Sequence, residues 1–286
     1  MRKSVFITGC SSGIGLHSAK VLASHGYTVF GAVRTTSDQE KLLELAKSSQ
    51  SEIVPIICEV TNRSSVSQAC EEVKDYLKDR TLNGLINNAG IVITGPLLHL
   101  PLEDWEKVFD VNVTGVLRVI QAFTPLLDTH ESNIEPKGRI INISSVSGIA
   151  NFPLNGAYCS SKHALESLTV VLRRELSLHS ISVSIIQPGN VNTDIWNKIP
   201  ESSPYSHTDY GCFHQGLLDY AKHSGPKGVH PDVIVKAIIH ALESPQPKSY
   251  YFMPGESLKG KLKFILNHCL FSSAKADKKF SIKRPS

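Results

Sequence analysis

The six cysteines of this 286-residue chain are scattered at Cys10, Cys58, Cys70, Cys159, Cys212 and Cys269, with no close pair among them. That spread excludes a paired-cysteine zinc site or a disulfide-stapled scaffold, and reduced thiols are expected. No apolar run in the sequence reaches the ~18 residues of a membrane-spanning helix. The opening residues MRKSVFITG run straight into a glycine-rich stretch, which leaves no room for a signal peptide. A cytoplasmic chain is therefore expected, and the Asn-x-Ser/Thr triplets at Asn62, Asn112 and Asn142 read as chance matches. A Pro/Gly-rich linker and an internal repeat are also lacking, which favours one folded unit. Nor is there a strong charge of one sign on the body: of the net +4, residues 257–286 hold a local +7 and residues 1–256 about −3. Nucleic-acid binding, which needs a basic face on the folded body, is excluded on that ground.

What is present is a chain 41% hydrophobic, enough for one large core. Apolar runs of strand length recur at residues 5–8, 28–33, 53–57, 84–87, 139–143, 182–187 and 249–252, with helix-like stretches between them. Continuous apolar strands alternating with helices predict a doubly wound parallel sheet of about seven strands, covered on both faces. The longest helices are expected over 102–127 and 157–179, where apolar residues recur at helical spacing. Residues 190–229, rich in Pro, Gly, Ser and His, show little periodicity and are read as a lid over a pocket.

The stretch Thr8-Gly9-Cys10-Ser11-Ser12-Gly13-Ile14-Gly15 follows the first strand and opens a helix, the setting in which glycines make room for a dinucleotide. Gly9 would permit the tight turn, Gly13 the approach of a pyrophosphate, and Gly15 close packing of helix on strand. Free N–H groups and the helix dipole would then favour the phosphates. A glycine turn that merely reverses the chain is the competing reading.

This Thr-Gly-x-x-x-Gly-x-Gly spacing resembles the short-chain dehydrogenase/reductase family, and further segments match it in order. They are Asn87-Asn88-Ala89-Gly90, Asn112 in DVNVTG, Ser145 in INISSVSG followed by Tyr158-x-x-x-Lys162, and Pro188-Gly189-Asn190-Val191-Asn192-Thr193. The resemblance spans about residues 3–255, and the wording of TGCSSGIGLH is most similar to the 17-beta-hydroxysteroid dehydrogenase type 1 and retinol dehydrogenase branch. It implies a Rossmann-like fold, a homodimer or homotetramer, and a dinucleotide held by Thr8, Gly9, Ser11, Ser12, Gly13, Ile14, Gly15, Arg34, Glu59, Val60, Asn88, Ala89, Gly90, Tyr158, Lys162, Pro188, Gly189, Val191 and Thr193. Glu59-Val60 departs from the Asp-Val common in the family, lengthening the side chain near the adenine.

Hydride exchange between a secondary alcohol and nicotinamide leaves a proton to be handled at the same oxygen. Tyr158 suits that role, but a free phenol near pKa ~10 ionises little at neutral pH, so a neighbouring cation is expected to lower it. Lys162, one helical turn on, is placed to do so while reaching the nicotinamide ribose. By resemblance, Ser145 holds the substrate oxygen and Asn112 binds a water that relays protons from the lysine. Cys10 and Cys159 beside these motifs read as small packing residues. No metal is expected.

The second strand ends in Val33 and Arg34, where an NAD-preferring fold would place an acid on the ribose 2′-OH. Arg34 is suited to a 2′-phosphate, with Ser11, Ser12 and Thr35 as further donors, so NADP(H) is expected over NAD(H). The function read is an NADP(H)-dependent oxidoreductase interconverting a ketone and a secondary alcohol on a steroid-, retinoid- or lipid-like substrate. The alternatives are a 3-oxoacyl-type or general carbonyl reductase, and a non-catalytic dinucleotide-binding sensor or scaffold. The catalytic domain is drawn at 1–256 with the lid at 190–229, followed by a basic extension, 257–286, read as a helix packed over the pocket with a solvated tail or else as a peripheral contact with an anionic membrane.

Overall fold

The computed structural model describes residues 3–127 and 138–255. The basic extension and the membrane contact read for it lie outside the described residues. In β1 (Ser4–Ile7), Val5 and Ile7 face one side of the sheet and Phe6 the other, because side chains alternate along a strand. The same alternation runs through β2 (Thr28–Val33), β3 (Ile53–Ile57), β4 (Gly84–Asn87), β5 (Arg139–Ile143), β6 (Ser182–Pro188) and β7 (Tyr250–Met253). All neighbouring strands pair in parallel, in the order β3-β2-β1-β4-β5-β6-β7.

Helices cover both faces, as strands apolar on both sides require. Leu22 of α1 (Gly13–Ser24), Leu42 of α2 (Thr36–Ser48) and Ile234 and Ile238 of α8 (Pro231–Glu243) join Val5, Ile7 and Ile141 in one core layer. Val66 and Val73 of α3 (Arg63–Leu77), Phe123 of α5 (Gly115–Leu127) and Leu165 of α6 (Gly156–Glu175) join Phe6, Phe30 and Ile140 in the other. The chain reverses its direction of winding between β1 and β4, which opens a crevice at their carboxyl ends.

Two expected elements turn out differently. The helix expected over 102–127 is interrupted: α4 (Leu102–Phe109) gives way to a π-helical turn, Asp110–Thr114, before α5 begins. The Gly115 N–H reaches back to the Asp110 carbonyl, and a Cβ at Gly115 would stand 3.0 Å from the Val60 side chain. Residues 190–229, expected to lack clear elements, contain a short 3-10 turn at Asp194–Lys198 and a full helix, α7 (Gly211–Ser224), anchored by buried His214 and Leu218.

Candidate active site

The end of β1 turns sharply into α1 through Gly9, whose φ of +73° is left-handed, and a Cβ there would lie 2.9 Å from Ala89 Cα. Gly15 also has no room for a side chain, but because of the Gly9 carbonyl and the Asn88 amide rather than the strand expected to press on it. Thr8 fastens this loop to the end of β4, its hydroxyl accepting the N–H groups of Asn88 and Ala89 at 2.9 and 3.0 Å. Asn88 returns the tie by donating to the carbonyls of Thr8 and Gly9. Thr8 and Asn88 thus build the cradle with their side chains.

Helix α1 starts with Ser12 at its N-cap, without a side-chain cap bond and without an acid in its first turn. The N-termini of α2 and α3 are closed by Thr35 and Asn62, which accept from Asp38 and Ser65. The open end of α1 faces a cleft of about 340 Å³ bordered by Gly13, Thr193 and Trp196, and Thr193 comes within 3.7 Å of where a Gly13 Cβ would be. Open donors, no negative charge and no side-chain bulk are what a polyanion needs.

The remaining cofactor candidates gather along the same edge. Ser11, Arg34 and Gly90 are exposed, while Ile14, Glu59 and Gly189 are half-buried. Glu59 is partly occupied, since its Oε1 accepts from the backbone and hydroxyl of Thr61. The Val60 carbonyl takes a 2.5 Å bond from Arg118, and Val191 is buried with its carbonyl bound to Trp196. Pro188 is buried at the end of β6. One expectation is corrected here: the Thr35 hydroxyl donates to Asp38 at 2.9 Å while capping α2, so it offers no donor to a ligand.

Ser145, Tyr158, Lys162 and Asn112, expected to handle the proton, come together near the end of β5. Lys162 is buried and donates from Nζ to the Ile143 carbonyl at 2.9 Å, standing 5.7 Å from the Tyr158 ring centroid. Ser145 begins a 3-10 turn, accepting from the Ser147 N–H at 3.1 Å, and its side chain is hydrogen-bonded to Tyr158. Asn112 is fully buried on the π-turn: its Oδ1 accepts from Ile91 N–H at 2.9 Å, and its Nδ2 donates to the Ile91 carbonyl and the Ser161 hydroxyl, each at 3.0 Å. Ser161 passes the link on to the Tyr158 carbonyl at 2.8 Å. A Cβ on Gly90 would sit 3.3 Å from Asn112 Oδ1 and 3.7 Å from Lys162 Nζ, so Gly90 keeps this corner open.

The expected lowering of the phenol is corrected. Burial pushes Tyr158 up to about 12 against the opposing Ser145 bond, and burial also takes Lys162 down to about 8. In the chain alone desolvation dominates both groups, and Tyr158 is a protonated donor at neutral pH. Burial likewise raises the Cys10 thiol to about 12, in keeping with a packing role.

Several supporting residues escaped the sequence reading. Asn87 donates to Asn142 at 2.8 Å, and Asn142 to Thr169 at 2.9 Å, a buried polar chain from β4 through β5 to α6. Glu166, one turn past Lys162, accepts from Gln187 at 3.0 Å, and burial holds its carboxyl above the usual range. The i, i+4 spacing from Lys162 was the available signal. Leu154 adopts a left-handed φ of +63° and accepts from Gly95 N–H at 2.7 Å, drawing the 91–100 loop to the start of α6. There Leu97 lies against Gly156, and Thr94 bonds His214 of α7 at 3.0 Å.

The family profile for short chain dehydrogenase matches residues 3–204. The chain is 33% identical over 267 residues to an NADPH-dependent 3-dehydrocapnine reductase of Ornithobacterium rhinotracheale, covering 93% of each. It is 33% identical to human retinol dehydrogenase 5 over 274 residues, covering 89% of this chain and 81% of the relative. In fold it matches a short chain dehydrogenase/reductase from Burkholderia phymatum solved in complex with NAD, with a TM-score of 0.78 at 23% identity, over 100% of this chain and 97% of that one. With the matched residues carrying the glycine cradle and the Ser145, Tyr158 and Lys162 group, the chain belongs to the short-chain dehydrogenase/reductase family of nicotinamide-dependent oxidoreductases acting on CH–OH groups.

Proposed function

We propose that this chain is an NADP(H)-dependent oxidoreductase that interconverts a ketone and a secondary alcohol on an apolar substrate of steroid, retinoid or lipid-like character. The observation that carries the reading is the protonated Tyr158 phenol, with Ser145 bonded to it and the Lys162 ammonium beneath its ring. In the reducing direction Tyr158 gives its proton to the carbonyl oxygen, and Ser145 fixes that oxygen by a hydrogen bond. Lys162 steadies the phenolate left behind. Asn112 holds the Ile91 and Ser161 frame within which Tyr158 and Lys162 keep their register. The dinucleotide, when bound, supplies the hydride.

The residues present fit that cofactor. The open end of α1 and the Gly9–Gly15 turn accommodate the pyrophosphate, Gly90 and Lys162 the nicotinamide side, and Glu59 and Val60 the adenine side. Arg34, exposed at the end of β2 without an acid beside it on the strand, supports a 2′-phosphate, as does the likeness to a reductase named NADPH-dependent. Asp38, the acid nearest in sequence, is engaged with Thr35.

Exposed Val92, Leu97 and Leu98 on the 91–100 loop, and Ile195 in the segment read as a lid, support an apolar substrate. The name of the retinol dehydrogenase relative points the same way. Exposed Leu102 on α4 and Val171 on α6 support a homodimer or homotetramer, which light scattering checks against the 31.3 kDa of one chain. No helix among the described residues is long and apolar enough to cross a membrane. The deciding experiment is a turnover screen of the full chain with NADPH and NADH against steroids, retinoids, fatty-acyl ketones and sugars. NADPH-dependent reduction of an apolar ketone is expected. Preference for NADH or for sugars overturns the reading, and tight dinucleotide binding with no turnover on any carbonyl favours the sensor.

A further inference from the structure

Outside the proton-handling group, three ligating side chains from distant parts of the chain meet on the seam between α1 and α8. His17 is in the second turn of α1, His230 is the N-cap of α8, and Asp232 lies in the first turn of α8. The His17 Nε2 is 2.5 Å from Asp232 Oδ1, and the His230 Nδ1 is 3.2 Å from Asp232 Oδ2. The three ligand atoms lie within 4.8 Å of one another, and the two imidazole rings meet edge to face at 5.6 Å.

The hydrogen bonding at this seam is incomplete in a particular way. A hydrogen bond joins His17 Nε2 to Asp232 Oδ1. The His230 Nδ1 accepts from the Asp232 backbone N–H at 3.3 Å and stands 3.2 Å from Asp232 Oδ2, so a metal bound there would take over the lone pair now used in the cap bond. Two acceptors this close invite a cation between them. We propose that His17, His230 and Asp232 form a site for a divalent transition metal of the zinc type, with water completing its shell.

The geometry suits that ion. Ligand atoms at about 2.0–2.2 Å from a four-coordinate zinc stand roughly 3.3 Å apart, and since the three here lie within 4.8 Å of one another the widest pair must close by up to about 1.5 Å. The His17 contact must open by less than about 1 Å as the metal displaces the proton of that bond, and all three side chains have solvent access to move. Two imidazoles and one carboxylate favour Zn²⁺, Ni²⁺ or Cu²⁺ over Mg²⁺ or Ca²⁺, which seek all-oxygen shells. The site borders the cleft that Gly13 and Thr193 also line, and a bound ion would tie α1 to α8. It does not depend on which dinucleotide the chain uses.

The test uses the full chain, stripped with EDTA and titrated calorimetrically with ZnCl2 and, separately, MgCl2. One Zn²⁺ per chain is expected with a Kd at or below about 10 µM, and no Mg²⁺ heat at the same concentration. His17→Gln, Asp232→Asn and His230→Asn, which keeps the cap, should each weaken Zn²⁺ at least about ten-fold. Zn²⁺ should also raise the melting temperature of wild type but not of His17→Gln, because the metal binds only the folded seam. Circular dichroism establishes that each variant is folded. Absence of Zn²⁺ binding in wild type overturns the proposal. Undiminished binding in His17→Gln and Asp232→Asn also does so, since the metal then sits at other ligands such as exposed Cys212.

Discussion

Around Tyr158 the side chains that matter are committed to one another: Asn112 to Ile91 and Ser161, Lys162 to the Ile143 carbonyl, Asn142 to Asn87 and Thr169. Past the carboxyl ends of β2 and β1, Arg34 and Ser11 stand exposed instead. The difference follows from what each end must do. Proton transfer needs atoms held in place before substrate arrives, and burial with dense hydrogen bonding achieves that, although Asn87 Oδ1 in this network is left without a partner. Discriminating one phosphate needs a charge that can reach it, which an exposed guanidinium supplies with little involvement of the core.

Substitutions at the two ends should therefore fail differently. The largest effect is expected from Tyr158→Phe, with turnover reduced at least about 100-fold and dinucleotide affinity unchanged by fluorescence titration. Near-normal turnover removes Tyr158 from the chemistry. Asn112→Leu orphans the Ile91 N–H and carbonyl, and should cost about 2–4 kcal/mol in urea denaturation. If stability is unaffected, the buried end is less tightly interlocked than its bonds indicate.

Arg34→Ala comes next, lowering the ratio of kcat/KM for NADPH over NADH roughly ten-fold while leaving the melting temperature unmoved. Val33, which is buried in the core, is the wrong place to probe this preference, because a carboxylate there would disrupt packing. A lost melting temperature in Arg34→Ala would erase the contrast between the ends.

The smallest effect concerns Lys162. Its folded pKa near 8 lies below the ordinary 10.5, so the folded state sheds a proton that the unfolded chain keeps between those values. Charged Lys162 thus costs stability below pH 8, and the cost fades as pH rises toward 10.5. Lys162→Met, without ligand, should melt about 2–3 °C above wild type at pH 7, the loss of the Ile143 bond offsetting part of the gain. The gap should narrow by pH 10, and a constant gap would assign it to packing alone.

Local signals were legible in the sequence and long-range ones were not. Strands β2 through β5 fall at the residues expected, since an apolar run bounded by turn residues is a local pattern. The cradle was legible because glycine is required where φ is positive or a neighbour too close. The π-turn at Asp110–Thr114 was not, because beside it Val60, in the loop after β3, packs against Gly115 and bonds Arg118 of α5. The rise in the Tyr158 pKa in the chain alone was not legible, since the i, i+4 lysine is visible in sequence and the burial around it is not. Thr35 was misread although Thr35 and Asp38 have the spacing of a capped helix start. His17 and Asp232, 215 positions apart, meet only through the docking of α1 on α8.

The bridge between Val191 and Val229 has a consequence for how the family's folds diversify. Val229 donates to Asn190, and Asn192 to Val229, both at 2.9 Å, so the segment after β6 and the segment before α8 are joined at one point outside the sheet. The intervening stretch is a detour whose ends are already joined, and β6 and α8 feel little of its length or composition. Doubling such a detour adds only about 0.6 kcal/mol of closure entropy. A detour of another length spliced between these two valines would thus leave β6 and α8 in place, while replacing Thr193 and Trp196 of the cleft and the His214 bond to Thr94.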